Sequence, residues 1–361
     1  MNGNFLEPLR RRLRRLPRNL RSNRWYVRIL GDIYLFSAQH SAAFARRAGI
    51  SNPNTPSQNA IRMYVSPKFF FSSPAQMRSE DIGILFPHLG RFGNAIREIV
   101  SATAVARKHH LGHLVLQGFS LFSSAGELAN PGLTHTEGGL KMWIERKSRR
   151  AEEQQVPRAL ILWSRRSVQL VNDSSAWAET KSALPSTLKA HVWGQDTVVV
   201  HIRGGDVFGG RNPPAYGQPP LSFYLWVLAK RQWHNVVIVH QDDTNPLLAP
   251  LIEACHKQGL NVKTFSGSLV EDLTLLLGAH TIVAGRGTFI PALVGLSDTI
   301  RAVYYFEDKF VLFPEKPEIG ITRVIDAHGL YRRELLSNNW ANSPDQRALM
   351  VEYPLSHLKQ G

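Results

Sequence analysis

From residue 197 onward the chain alternates short β-branched or apolar runs with helical stretches, and this regular order constrains the fold more than any other feature. Residues 197–202 read as a buried parallel strand, 221–232 as a helix, 236–240 as a strand, 246–258 as a helix and 262–265 as a strand. A helix over 269–277, a strand over 281–284, a helix over 289–296 and a strand over 302–306 complete the series. Strands alternating with helices build a parallel sheet covered on both faces, a doubly wound fold whose ligands lie at the carboxyl ends of the strands. Candidate functional residues therefore belong at strand ends.

The same texture begins near Asp81. Residues 83–86 read as a strand, 87–93 as a glycine-bearing turn, 94–109 as a helix, and 114–117 and 160–163 as strands, with the charged stretch 141–155 an exposed helix. A chain of 361 residues has room for two domains. The expected organisation is an N-terminal extension over 1–75, a first Rossmann-like domain over 76–190, a second over 191–345 and a tail over 346–361.

Composition matters for the extension. The chain carries a formal charge of +15, and residues 1–30 hold nine arginines against the single acid Glu7. Such an excess asks for an anionic partner. Leu6, Leu9, Leu13 and Leu16 recur there at helical spacing until Pro17 interrupts them. Two readings stand: a basic amphipathic lever on an anionic membrane surface, or a solvated arm. Confinement of the charge to this segment, without an accompanying recognition motif, argues against a nucleic-acid partner. The lone Cys255 excludes an internal disulfide and sits in an apolar helical context, as a buried structural thiol does. With no signal-peptide pattern and no apolar run of ~20 residues, the expected location is cytoplasmic, peripheral at the inner face of the membrane if the extension binds lipid.

Three strand ends carry chemistry. The first is His201-Ile202-Arg203-Gly204-Gly205-Asp206. An arginine beside glycines that admit close backbone approach suits a phosphate or diphosphate, and His201 and Arg203 alternate onto one face; the other reading is an ordinary Arg–Asp ion pair. The second is Gln241-Asp242-Asp243, whose acids suit a metal, the donor groups of a nucleobase or sugar, or a cap on the following helix. The third is Gly285-Arg286-Gly287-Thr288-Phe289, which leaves N–H groups free at a helix start. Gly90-Arg91-Phe92-Gly93-Asn94 repeats that device in the first domain. No Walker A loop, complete dinucleotide fingerprint, nucleophile elbow, HExxH or paired-cysteine motif is present. Anion-competent turns in both halves point to a diphosphate held between domains.

Together, V-V-V-H-I-R-G-G-D, preceded by G-R-F-G-N and followed by Y-G-Q-P-P-L-S-F-Y, H-Q-D-D, E-D-L-T-L-L-L-G-A and G-R-G-T-F, resemble the superfamily of GDP-fucose-dependent fucosyltransferases, which includes α-1,2-, α-1,6- and protein O-fucosyltransferases. The match runs in order over residues 82–306. It implies a GT-B arrangement, two Rossmann-like domains facing a cleft, the first for the acceptor and the second for the nucleotide-sugar donor. It further implies inverting transfer of fucose from GDP-fucose to a glycan or lipid-linked glycan, with no metal or other cofactor; the alternatives are a relative that uses another GDP-sugar and a catalytically silent sugar-binding relative. By resemblance, Arg203 binds the β-phosphate and His201 lies against the nucleotide. Asp243 or Asp242 reads guanine, while Gly287, Thr288 and Phe289 offer donors to the diphosphate, and Asn94 faces the cleft. Asp206 is the natural candidate for the base and equally an anchor for its loop. Glu271 and Asp272 match an E-D pair at a helix start, where capping is their ordinary role. Two positions depart from the pattern: Gly204 stands where many members have a second arginine, and Ala95 where a glutamine is usual. Arg286 is the sequence-level candidate to offset the missing charge.

Overall fold

The computed structural model describes residues 61–65, 82–86, 91–108, 110–116, 133–135, 141–144, 159–163, 173–184, 188–209, 214–307 and 313–361. The arginine-rich segment 1–30 lies outside them. No helix of the described residues is long and apolar enough to cross a membrane.

Strands fall into two sheets. The first comprises β1 (Ile61–Val65), β2 (Ile82–Phe86), β3 (His113–Leu116), β4 (Leu133–His135), β5 (Lys141–Ile144) and β6 (Ala159–Trp163), in the order β1-β6-β2-β3-β5-β4. Its four central strands are parallel, and β1 and β4 pair antiparallel at the edges. The second comprises β7 (Thr197–Ile202), β8 (Asn235–His240), β9 (Asn261–Phe265), β10 (Thr281–Val283), β11 (Ala302–Phe306), β12 (Gly320–Asp326) and β13 (Leu358–Gln360), in the order β13-β12-β11-β10-β7-β8-β9. Apart from antiparallel β13, all its pairings are parallel. The order reverses between β7 and β10: from β7 the chain steps outward through β8 to β9, then returns to β10 and steps the other way. A sheet of this kind opens a crevice at its switch point.

Among the described residues the α-helices are α1 (Phe92–Lys108), α2 (Ser174–Ser182), α3 (Leu221–Leu228), α4 (Leu248–Lys257), α5 (Leu269–Leu277), α6 (Phe289–Leu296) and α7 (Pro344–Glu352). Strand periodicity sorts the core. Val198, Val200, Val236 and Ile238 pack with α3 and α4, whereas Val199, Val237 and Val239 pack with α5 and α6. That second layer also contains Ile96, Ile99 and Val100 of α1 and Trp177 of α2, so one apolar core ties the two sheets together. A Cβ on Gly295 of α6 would collide with the Trp177 ring, and Lys181 of α2 pairs with Asp298 just beyond α6. Cys255 is buried in α4, where burial pushes its thiol up to about 11, an inert packing residue.

Several elements differ from the sequence reading. Lys141–Ile144 is a strand, not the start of a charged helix: Lys-Met-Trp-Ile joins β3 to β4, and the dense charge begins only after it. The extension contributes β1, paired to β6. Helix α2 lacks the strong apolar periodicity that announces a helix, and its start is set by Asp173, whose side chain accepts from the Ala176 N–H at 3.0 Å. At the C-terminus, α7 straddles residue 345 and β13 pairs with β12, so the last residues close the second sheet.

Candidate functional site

The switch point brings the ends of β7 and β10 together, and two glycine segments let it close. Gly287 has φ +126°, and a Cβ there would lie 3.0 Å from Nη1 of Arg203. Gly93 abuts α6 so tightly that a Cβ would lie 2.5 Å from the Thr288 carbonyl. The amino ends of α1 and α6, one from each sheet, therefore meet beside the Arg203 guanidinium. Thr288 Oγ1 donates to Asn94 Oδ1 at 2.9 Å, and the Phe92 and Phe289 rings lie 5.1 Å apart. Both helix dipoles present their positive ends here.

Arg203 is held on several sides. Its Nη2 donates to Asp206 Oδ1 at 3.3 Å, its guanidinium carbon lies 4.7 Å from the centre of the Tyr216 ring, and its carbonyl accepts from Asn245 Nδ2 at 2.9 Å. The same Asp206 oxygen accepts from Nη1 of Arg91 at 2.6 Å. One carboxylate thus bridges an arginine from each half. Partial burial works to raise the Asp206 pKa, but the hydrogen bond from Arg91 and the charges of Arg203 and Arg91 outweigh it and hold the carboxyl below its ordinary value. So depressed a carboxylate is a weak base and a firm anchor.

His201 stacks on Phe289, with ring centres 4.9 Å apart and planes at 18°. Burial, with the nearby Arg203 charge, pulls its pKa down to about 3, so the ring is neutral at physiological pH. Its Nδ1 is buried and has no hydrogen-bond partner.

Asp242 Oδ1 accepts from both the N–H and the hydroxyl of Thr244, folding the loop back on itself, and the Asp243 side chain is 89% exposed, with its Oδ1 3.6 Å from His240 Nδ1. Entry into α4 is arranged by Asn245, whose Oδ1 accepts from the Leu247 N–H. At Gly204, a Cβ would lie against the Asp242 carboxylate, so a larger residue there requires that side chain to move. Arg286 donates from Nη1 to the Gly217 carbonyl at 3.3 Å, a bond to a neighbouring loop. Arg91 is the second cation bonded to Asp206.

Two residues that lie in the quoted stretches, but to which motif reading gave no ligand role, stand out. Glu271 is the cap it was expected to be, forming a reciprocal capping box with Ser268 on α5. Its neighbour Asp272 is not fully employed: Oδ1 is buried without a partner, and burial, opposed by the Gly267 N–H and reinforced by the Glu271 charge, pushes the carboxyl up to about 6. It sits in the first turn of α5, at the carboxyl edge of the sheet and in the helical layer that covers His201. Tyr216 is the other, and only the fold places its ring on Arg203.

No protein-family model and no curated protein matches the sequence. Among solved structures, the chain is similar to POFUT1 in complex with GDP, with a TM-score of 0.40 and 10% identity, covering 63% of this chain and 99% of that one. A second crystal form of that complex gives 0.38 and 11%, covering 62% and 97%. Mycobacterium tuberculosis shikimate dehydrogenase gives 0.25 and 11%, covering 74% and 96%.

Proposed function

We propose that this protein is an inverting glycosyltransferase that takes its sugar from a GDP-sugar, GDP-fucose in the first instance, and delivers it to a glycan or lipid-linked glycan. The observation that carries the reading is the cationic corner at the switch point: Arg203 and Arg91 share Asp206 while the amino ends of α1 and α6 meet beside them. In the transfer, the bond from the sugar's anomeric carbon to the β-phosphate oxygen breaks and its electron pair stays on the departing GDP. The acceptor hydroxyl adds from the opposite face and releases its proton. Charge therefore develops on the diphosphate, and preorganised cationic and N–H donors are the groups that lower the barrier. Arg203 stabilises that charge, and Asp206 anchors it rather than acting as the base.

Asp272 is the better reader of the base. Guanine offers an N–H and an amino group side by side, and the unpartnered Asp272 oxygen suits such donors. Oδ1 of Asp242 is taken by Thr244 and the Asp243 side chain is exposed. Calorimetry with GDP, ADP and UDP tests the reading: saturable binding of GDP in preference to the other two is expected, and no binding of GDP overturns it.

A further inference from the structure

Preorganisation of Arg203 requires that its plane be fixed as well as its charge, and one hydrogen bond to Asp206 at 3.3 Å does not define that plane by itself. The Tyr216 ring lies 4.7 Å from it, and Gly287 leaves room for Nη1 on another side. The segment bearing Tyr216 is itself pinned from below. The Tyr216 carbonyl accepts from Nε2 of the fully buried Gln218 at 2.8 Å, and the Gln218 carbonyl accepts from the buried Tyr331 hydroxyl at 2.7 Å. Between them, the Gly217 carbonyl accepts from Arg286, and Gly217 packs so closely on the Leu335 carbonyl that a side chain has no room. At the start of the segment, the Pro214 carbonyl accepts from the N–H of buried Trp340 at 3.1 Å.

We infer that Tyr216 is a positioning residue for Arg203, its ring setting the plane in which the guanidinium meets the diphosphate, and that Arg286 and Tyr331 buttress the segment that carries it. The inference deepens the donor-binding reading and rests on it for the ligand. A guanidinium on an aromatic face, mostly withdrawn from water, gains stabilisation that a loose one lacks. The fork also forms two parallel bonds to a phosphate only when its plane is right.

The test uses the full-length chain with GDP and pyrophosphate as probes, together with the Nε–H resonance of Arg203 in nitrogen-labelled protein, identified by its loss in Arg203→Lys. In the wild type, the ring current of Tyr216 displaces this resonance from its position in an unstructured peptide. Tyr216→Leu is expected to return it toward that position and to weaken both probes by about tenfold. Tyr216→Phe, which keeps the ring, restores both readings. An unmoved resonance in Tyr216→Leu, or equal weakening by the phenylalanine variant, overturns the inference. If the wild type binds neither probe, the donor reading falls, and the resonance still decides whether Tyr216 sets Arg203. Tyr216→Met serves the same purpose if the leucine variant does not fold.

Discussion

Two stretches of one sheet edge differ in a telling way. At the ends of β11 and β12, the carboxylates of Glu307 and Asp326 are buried and fully employed. Asp326 Oδ1 accepts from the Tyr353 hydroxyl at 2.7 Å and the His328 N–H at 2.9 Å, and Oδ2 accepts from the Arg332 N–H at 3.3 Å. Glu307 accepts from the Asp326 N–H at 2.6 Å and lies 3.7 Å from the Arg332 guanidinium. At β7 and in the first turn of α5, just beyond β9, polar groups are left over: His201 Nδ1 and Asp272 Oδ1 are buried and unpartnered. The β11–β12 end, a lock on the fold, also leaves a buried atom over, His357 Nδ1 beside Tyr353, so the two ends differ in their acids: those at β11 and β12 are employed by the fold, while under the proposed function the oxygen left over on α5 serves a ligand.

Substitutions at the two ends test that contrast. The largest effect is expected at Arg203: Arg203→Ala should lower transfer from GDP-sugar by about 10²- to 10³-fold, measured as initial rates, and near-normal turnover would remove Arg203 from the chemistry. Next comes the lock. Asp326→Ala strands the Tyr353 hydroxyl and two backbone N–H groups, and should cost about 3 kcal/mol in denaturant titration, while GDP affinity stays within about twofold; loss of GDP binding in a folded variant would erase the distinction between the two ends. The lock also has a pH signature. Burial works to raise the Asp326 pKa, but the hydrogen bonds from Tyr353 and neighbouring N–H groups outweigh it and leave it depressed. Its stabilisation is therefore present above the unfolded value near 4 and is lost as pH falls through the folded one.

Asp272 carries the opposite shift, and the prediction is smaller. Its carboxyl is raised to about 6, so GDP affinity should fall as pH drops below about 6, by up to tenfold per unit. Asp272→Asn should lose about tenfold in affinity at pH 7.5 along with that dependence; a wild-type affinity flat from pH 5 to 7.5 would exclude the role. The smallest effect belongs to the neighbouring cap: Ser268→Ala should cost about 1 kcal/mol of stability and leave nucleotide affinity unchanged, as titration calorimetry would show.

Much of the second sheet is legible from sequence. Phe289–Leu296, Leu269–Leu277 and Ala302–Phe306 stand where their apolar periodicity puts them. Elements without a periodic signature are not legible: β13 is three residues long, α2 has a weakly amphipathic face, and both owe their existence to partners distant in the chain. The site divides in the same manner. Arg203 and Thr288 are recognisable from strand ends and glycine turns, whereas Tyr216 and Asp272 lie in stretches that carry the resemblance but have no local signal that separates them from a core tyrosine and a helix cap.

By itself, the sequence determined the alternation of strands and helices, the positions of the glycine turns and the concentration of arginines at the N-terminus, because periodicity, backbone freedom and charge are local properties. Only the tertiary structure decided which arginine joins Arg203. Arg91 reaches Asp206 across 115 residues, and Thr288 meets Asn94 across 194. Arg286, though it lies beside a glycine of the site, is bonded to the Gly217 loop. Proximity of that kind is set by how the helices of two sheets share one core, and chain order carries no record of it.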